Sequence, residues 1–406
     1  MNVIFIEPSF PYNQREFVRG LKLAGANVVG IGERPKEYLT DEMKGWLLDY
    51  VQVPSVTHEP SLYQAVRQIQ NVIWVDRLEA TVEAHVMAAA TVREATSIPG
   101  ISKETAFLCR DKPAMKEVLR RAGIPCAQST RAKSAQDARA FVDAVGFPVV
   151  VKPTAGAGAA GTHRVSDAGA LERVIQLSGL ADGHEVAVEE FIEGHEGFID
   201  TLTVNGTVVH EFITHYYPNV LEAMRERWIS PQMVATNRID EPGYREVREL
   251  TREVIRILEI GTSATHMEWF YGPKGLKFSE IGCRPPGVGQ WDVYSAANEF
   301  DLYHEWASAL VHGRPHRAPS RRFACGMIAL RPERDGHITG YSGIDEMQHR
   351  YGAHVVAAHL PNPGTPTQPV EAGYMANAWV RIRHPDYDAL RSIMNDIGRS
   401  VRVHAQ

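Results

Sequence analysis

The chain has 406 residues, enough for two to four domains at about 100 to 200 residues each and too many for a lone small module. With 44% hydrophobic and 23% charged residues it has the composition of a packed globular protein rather than a low-complexity or disordered one. Its 43 lysines and arginines against 49 aspartates and glutamates leave a net charge of −6, which excludes a global basic field for nucleic acid or an anionic membrane. Any anion it binds must be held by local groups.

The first hundred or so residues alternate short apolar runs with amphipathic stretches, the rhythm of a parallel α/β unit. Strands are predicted at 3–6, 28–31 and 72–75, a helix over 14–23 closed near Gly25, and an Ala-rich helix around 79–94. The first strand runs into Glu7, Pro8 and Pro11 instead of a glycine turn, so the dinucleotide fingerprint is missing where it belongs. The opening MNVIFIEPSF holds a five-residue apolar stretch with no basic region before it, shorter than an export signal needs. No run approaches the roughly 18 apolar residues of a membrane span.

A second unit begins near Phe107. Asp111 can cap a helix whose Met115, Val118, Leu119 and Ala122 share a face, with Gly123 closing it. Ser134, with Asp137 three residues on, opens another that ends at Gly146. There follow a strand at 147–151, Lys152, a glycine loop, a strand at 163–165, a helix at 168–177 and a strand at 185–191. In the third unit, strands at 197–204 and 207–213 flank Asn205-Gly206, a dipeptide suited to a two-residue hairpin turn. A long helix spans 244–259. Beyond Gly313, Pro315 and Pro319 the chain reads as a final α+β module whose last helix lies at 387–397.

Metal and disulfide chemistry of the commoner kinds is disfavoured. Five His-Glu pairs begin at His58, His184, His195, His210 and His304, and none has a second His at the fourth position, as a zinc-binding helix requires. Cys109, Cys126, Cys283 and Cys325 form no CxxC, which fits a reducing, cytoplasmic setting.

Three constellations carry other chemistry. Gly156, Gly158 and Gly161 have GxGxxG spacing, but they lead into a strand and not a helix, so they read as a flap between antiparallel strands. Such a flap can fold its amides over phosphate, and Lys152 just upstream supports this over a plain surface turn. In EEFIEGHE, residues 189–196, a carboxylate-ended strand, two apolar residues and a further acid would suit adenine and ribose; a strand end with exposed acids is the plainer alternative. In THMEWFYGPKGLKFSEIGCRPPG a Gly272–Gly275 turn joins two strands, and pairing of 271 with 277 sets Glu268 opposite Glu280. Cross-strand neighbours lie about 5 Å apart, where two carboxylates repel unless a divalent cation bridges them. Alternation adds Phe270, Gly282 and Arg284 to that face. A register different by one residue would split the pair.

These pieces, in this order, resemble the ATP-grasp superfamily in its biotin-carboxylase-like arrangement, through RDKPAMKEVLRRAGIPCA, FPVVVKPTAGAGAAG, EEFIEGHE, MEWF and EIGCRPPG. The resemblance implies α/β and α+β architecture: an N-terminal parallel α/β (pre-ATP-grasp) domain at 1–105, an ATP-grasp small lobe with the glycine flap at 106–191, a large lobe with the metal site at 192–313, and a C-terminal α+β module at 314–406. It implies that Lys112 and Lys152 contact ATP phosphates under the 156–161 flap, and that Glu189, Glu190, Phe191 and Ile192 form the adenine hinge above Phe270. Glu196 would bind ribose, Glu268 and Glu280 would hold Mg²⁺ or Mn²⁺, and Arg284 would steady the transferring phosphoryl group. The chain departs from the family at Gly282, where Asn is usual, and at Ala159, where carboxylases commonly have Gly.

The expected function is ATP-dependent activation of a carboxylate as an acyl phosphate and its capture by an amine, releasing ADP and phosphate. His215, Tyr216, Arg225 and Arg227 are substrate-facing candidates, with ordinary loop residues as the alternative. A bicarbonate-using carboxylase and a catalytically silent nucleotide-binding relative remain open. The partners implied are a small carboxylate and an amine, with no nucleic acid and no membrane; many relatives dimerise, which leaves a homodimer open.

Overall fold

The computed structural model describes residues 1–155 and 161–406. Strands Asn2–Ile6, Asn27–Gly32, Leu47–Gln52 and Arg77–Glu79 form a parallel sheet with Leu47–Gln52 and Arg77–Glu79 at its edges. The helix Gln14–Leu23 agrees with the expected span. The strand expected at 72–75 does not form: Val72 is 82% exposed and Trp74 77%, in the connection after helix Glu59–Gln70. Arg77–Glu79 pairs with the first strand instead. The Ala-rich helix starts later than expected, at Val86, after a short 3₁₀ turn at Glu83–His85. Leu47–Gln52 escapes sequence reading because, as an edge strand, it is mostly exposed and shows no clean alternation.

The second sheet is antiparallel, in the order Ser129–Ala132, Val186–Glu190, Val149–Pro153, His163–Val165. Helices Ala135–Val145 and Ala168–Leu177 bury Ala138, Val142, Leu171, Val174 and Ile175 against it. The first of these begins with a full capping box, Ser134 accepting from the Asp137 N–H and the Asp137 carboxylate accepting from the Ser134 N–H.

The largest sheet has eight strands. Gly275–Gly282, Ser263–Gly272, His195–Val204, Thr207–Tyr217 and Gln232–Ala235 are followed by Ala324–Leu330, Ala378–His384 and Val355–His359. Strands from beyond residue 314 therefore continue the sheet begun by the preceding segment, through the pairing of Gln232–Ala235 with Ala324–Leu330. The turn residues Asn205 and Gly206 both have positive φ, 49° and 80°, as a two-residue hairpin turn needs. One face of the sheet packs on helix Arg245–Ile257 through Val247, Leu250, Val254 and Ile255. The other packs on helices Gln290–Asn298 and Leu302–His312, which also receive the N-terminal domain. Among the described residues no helix is long and apolar enough to cross a membrane.

The N-terminal domain is seated through helix Gln14–Leu23. Phe17 lies 4.9 Å from the rings of Trp291 and Tyr303 and 5.2 Å from Trp306, centroid to centroid. Gly20 lets the two backbones close: a Cβ there would sit 2.5 Å from the Tyr303 carbonyl oxygen. Gly20→Ala should therefore lower the stability by about 1–3 kcal/mol even though alanine is the better helix former. A urea titration checks this; an unchanged or raised midpoint would mean the contact yields freely.

Candidate functional site

A cavity of about 660 Å³ opens where the antiparallel four-stranded sheet faces the end of the large sheet. Its basic side comes from one helix and one strand. Asp111 caps helix Lys112–Arg121 by accepting from the Ala114 N–H, and the residues four apart, Lys112 and Lys116, point the same way into the cavity. Lys152 arrives from strand Val149–Pro153. Glu189, on strand Val186–Glu190, takes Lys116 Nζ at 2.5 Å and Lys152 Nζ at 2.9 Å on its Oε2. Burial pushes the Glu189 carboxyl up, but the two ammonium groups outweigh it and hold it at about 2. At Lys116 burial prevails and lowers the ammonium pKa despite Glu189, whereas at Lys152 the opposing burial is overcome by Glu189 and Glu280, and the pKa is raised.

The acidic side comes from the hairpin of Ser263–Gly272 and Gly275–Gly282. Glu268 stands opposite Glu280 as expected, but by a different route. Tyr271 pairs with Leu276, a register that alone would bring Ser279 opposite Glu268; a bulge at Ser279 restores the Glu268–Glu280 pair. Glu280 Oε2 lies 3.4 Å from Lys112 Nζ and 3.7 Å from Lys152 Nζ. Burial would raise the Glu280 pKa, yet Lys112, Lys152 and Lys116 lower it. Glu196 is buried on the neighbouring strand, its Oε2 accepting from the Val220 N–H at 2.6 Å. Burial and then Glu268 push its carboxyl up to about 8.

The remaining walls are flatter and more apolar. Phe191, Ile192, Phe270, Phe278, Val220 and Leu221 line the cavity, with the Arg164 guanidinium 4.2 Å from the centre of the Phe191 ring. Glu190 lines it too, its side chain held by Lys274 Nζ at 2.5 Å. The structure thus brings together Lys112, Lys152, Glu189, Glu190, Phe191, Ile192, Glu196, Glu268, Phe270, Glu280 and Arg225. Gly161, with φ of 68°, is not among the lining residues, and Gly156 and Gly158 lie outside the described residues.

Other expectations part company with the geometry. Arg284 does not line the cavity; its Nε bonds Glu83 Oε2 at 2.8 Å, and Glu83 also meets Arg110 Nε at 3.2 Å. Of the four substrate candidates, Arg225 lines the cavity and donates to the Thr162 carbonyl at 3.2 Å. Tyr216 is on the Glu268 face but buried, and burial followed by Glu268 drives its hydroxyl pKa well up. Arg227 turns to a separate cleft, paired with Asp335 at 2.7 Å. His215 is on the opposite face of the sheet, bonded to His195 and to the Tyr244 hydroxyl, both at 2.9 Å. Strand alternation already separates 215 from 216.

Sequence reading missed Lys116, Glu83 and Asp200. The first has a signal, the four-residue spacing from Lys112 on one helix face. Glu83 and Asp200 have none, because each finds its partner across long stretches of chain. The Asp200 carboxylate meets His266 Nδ1 at 2.7 Å, and burial of His266 is outweighed by Asp200, so that its pKa rises to about 9.

Like charge crowded at Glu196, Glu268 and Glu280 suits a cation, and the lysines alongside suit an anion. Among the described residues no three His, Cys, Asp or Glu side chains form a metal cage by themselves. Mg²⁺ is typically bound by one or two carboxylates with the remaining ligands drawn from phosphate and water.

Residues 117–300 match the family model of the ATP-grasp domain. In sequence the chain is 26% identical over 303 residues to the L-arginine-specific L-amino acid ligase of Bacillus subtilis, spanning 73% of this chain and 72% of that protein. In structure it matches the L-amino acid ligase from Bacillus licheniformis with a TM-score of 0.78 and 17% identity, covering 100% of this chain and 98% of the other. It matches N5-carboxyaminoimidazole ribonucleotide synthetase from Thermotoga maritima with a TM-score of 0.69 and 17% identity, over 100% and 99% of the two chains. At these identities the structural likeness speaks for the fold alone.

The His195–His215 pair makes a pH prediction. Burial lowers the pKa of both, and with the cations of His195 and Arg391 it takes His215 to about 3. Below the unfolded value of about 6.5 the unfolded chain takes up a proton that folded His215 refuses, so stability falls as pH falls, by about 2 kcal/mol between pH 7 and 5. Glu196, raised in the folded state, acts in the opposite sense over that window. Urea midpoints of the wild type and His215→Gln at pH 7 and pH 5 isolate the histidine: the acid-induced loss should be smaller in the variant, and equal losses would refute it.

Proposed function

We propose that the chain is an ATP-grasp ligase of the carboxylate–amine type, and that it joins an amino acid to the activated carboxylate of another. The acid's carboxylate oxygen attacks the γ-phosphorus of ATP, an O–P bond forms, and the bond to ADP breaks. The amine then attacks the acyl carbon, loses a proton and displaces phosphate. The observation that carries this reading is the opposed pair Glu268 and Glu280 set against Lys112, Lys116 and Lys152 in one cavity.

The roles follow from position. Phe191, Ile192 and Phe270 would offer apolar surface to the base, and Glu190 and Glu196, in the same cavity, would serve the hinge and the ribose. Lys112 and Lys152 meet the phosphates, while Lys116 reinforces them through the shared Glu189. Glu268 and Glu280 would hold Mg²⁺, with Mn²⁺ able to use the same oxygens, and such an ion would neutralise charge gathering on the phosphoryl oxygens. Arg225, which lines the cavity and donates to the Thr162 carbonyl, would meet the anionic end of a ligand. Arg284, anchored on Glu83 outside the cavity lining, is not assigned a contact with the nucleotide. Excluding water from this space protects the acyl phosphate from hydrolysis. A reaction that draws on ATP fits the cytoplasm.

The test is nucleotide release with ATP and Mg²⁺ against a panel of L-amino acids and small carboxylates. ADP and phosphate should appear only with a productive pair; AMP with pyrophosphate, or release driven by bicarbonate instead of an amino acid, would overturn the reading. ATP with Mg²⁺ should also raise the melting temperature, and NAD should not. Glu280→Ala and Lys152→Ala should each abolish ADP release while keeping a cooperative melt, and full activity in either would remove that residue from the site.

A further inference from the structure

We propose that His266 is a substrate-contacting residue, presenting its Nε2 side to the carboxylate that receives the phosphoryl group. This rests on the ligase reading above. Along strand Ser263–Gly272 the residues at 266, 268 and 270 face one side of the sheet, paired in turn with Gly282, Glu280 and Lys277. Phe270 and Glu268 line the nucleotide cavity. With a rise of about 3.4 Å per residue, His266 lies roughly 7 Å beyond Glu268 on the side away from Phe270. It follows the base and the metal carboxylate in that line, where the acceptor of the phosphoryl group has to be.

Gly282 leaves the ring without a cross-strand side chain over it. No side chain stands across the hairpin from His266, and a Cβ at 282 would find only Glu83 Oε2 at 3.5 Å and the Arg284 side chain at 3.6 Å as its nearest neighbours. The floor of this region is therefore His266, Gly282, Arg284 and Glu83. Of these, Arg284 and Glu83 are bonded to each other.

The ring is fixed from below. Its Nδ1 is 2.7 Å from Asp200 Oδ1, while Asp200 Oδ2 accepts from the Tyr294 hydroxyl at 2.5 Å. Tyr294 meets the Thr214 hydroxyl at 3.0 Å, and Thr214 accepts from Gln290 Nε2 at 2.8 Å. These four partners are buried, and they come from two strands and from helix Gln290–Asn298. The edge of the ring packs against Phe198 at 4.8 Å. The other ring nitrogen, Nε2, turns to the cavity face of the strand, 3.6 Å from Glu268 Oε1. Asp200 is accordingly a positioning residue, and it acts through His266.

Two substitutions separate substrate contact from structural support. In His266→Asn the amide can reach where Nδ1 stood, keeping the bond to Asp200 and deleting the Nε2 side. In His266→Gln the amide reaches the Nε2 position. The assay is ADP release with the L-amino acid pair that drives the wild type fastest, alongside the melting shift given by ATP with Mg²⁺. His266→Asn should lower kcat/KM for the amino acid by about 100-fold with the ATP–Mg²⁺ shift unchanged, and His266→Gln should recover part of the loss. His266→Asn within about threefold of the wild type, or loss of its ATP–Mg²⁺ shift, would overturn the proposal. If His266→Asn does not fold, His266→Gln decides: a folded, inactive variant overturns it and an active one supports it. A wild type without amino-acid-dependent ADP release overturns the functional reading and this inference together.

Discussion

The site depends on one carboxylate that two lysines share. Glu189, Lys116 and Lys152 are all buried, and charges taken out of water are tolerable in a core only when paired at close range with their remaining valences met. The pairing ties helix Lys112–Arg121 to the paired strands Val149–Pro153 and Val186–Glu190 through their side chains. Because a lone partner would be left uncompensated, the small sheet and the basic wall of the cavity form as a single object. Glu280 extends the same network to the large sheet through Lys112 and Lys152, so the charges also set how the two sheets face each other.

That arrangement gives the cavity two kinds of surface. Phe191, Ile192 and Phe270 give the cavity apolar surface, and Lys112, Lys116, Lys152, Glu268 and Glu280 give it charged surface, so it suits a ligand with a flat apolar part and an anionic part. The bulge at Ser279 is part of this arrangement. Without the extra residue Glu280 would fall on the wrong side of its strand, and neither the carboxylate pair nor the contacts with Lys112 and Lys152 could form.

Local signals in the sequence were the ones that translated into structure. The capping box at Ser134 and Asp137, the cap at Asp111 and the Asn205-Gly206 turn each act within a few residues, and all three form. The Glu268–Glu280 pair was legible through alternation and chain reversal, although the turn proved tighter than expected and a bulge made up the difference. What sequence could not carry were partners brought together by topology. An arginine at 284 looks free until Glu83, about two hundred residues earlier, takes its guanidinium. His215 looks like a substrate ligand until the sheet puts it among His195, Tyr244 and Trp269 on the far face. The run at Val72–Val75 has the composition of a strand, but the chain has only just left a helix there and reaches the sheet edge at Arg77.

The Glu83 contacts also explain why the N-terminal domain belongs to the site at all. Arg110 precedes Lys112 by two residues, and Arg284 follows Glu280 by four, so one carboxylate in the 3₁₀ turn at Glu83–His85 grips the chain just outside both walls of the cavity. Its hold is steadied from behind, where Phe17 and the close approach at Gly20 fix that domain to helix Leu302–His312. A shift of the N-terminal domain would therefore be felt first at Arg110 and Arg284, on either side of the place where the phosphoryl acceptor sits in the proposed reaction. Net charge says nothing about where cations stand, so their placement has to be set locally, and Glu83 sets two of them at once.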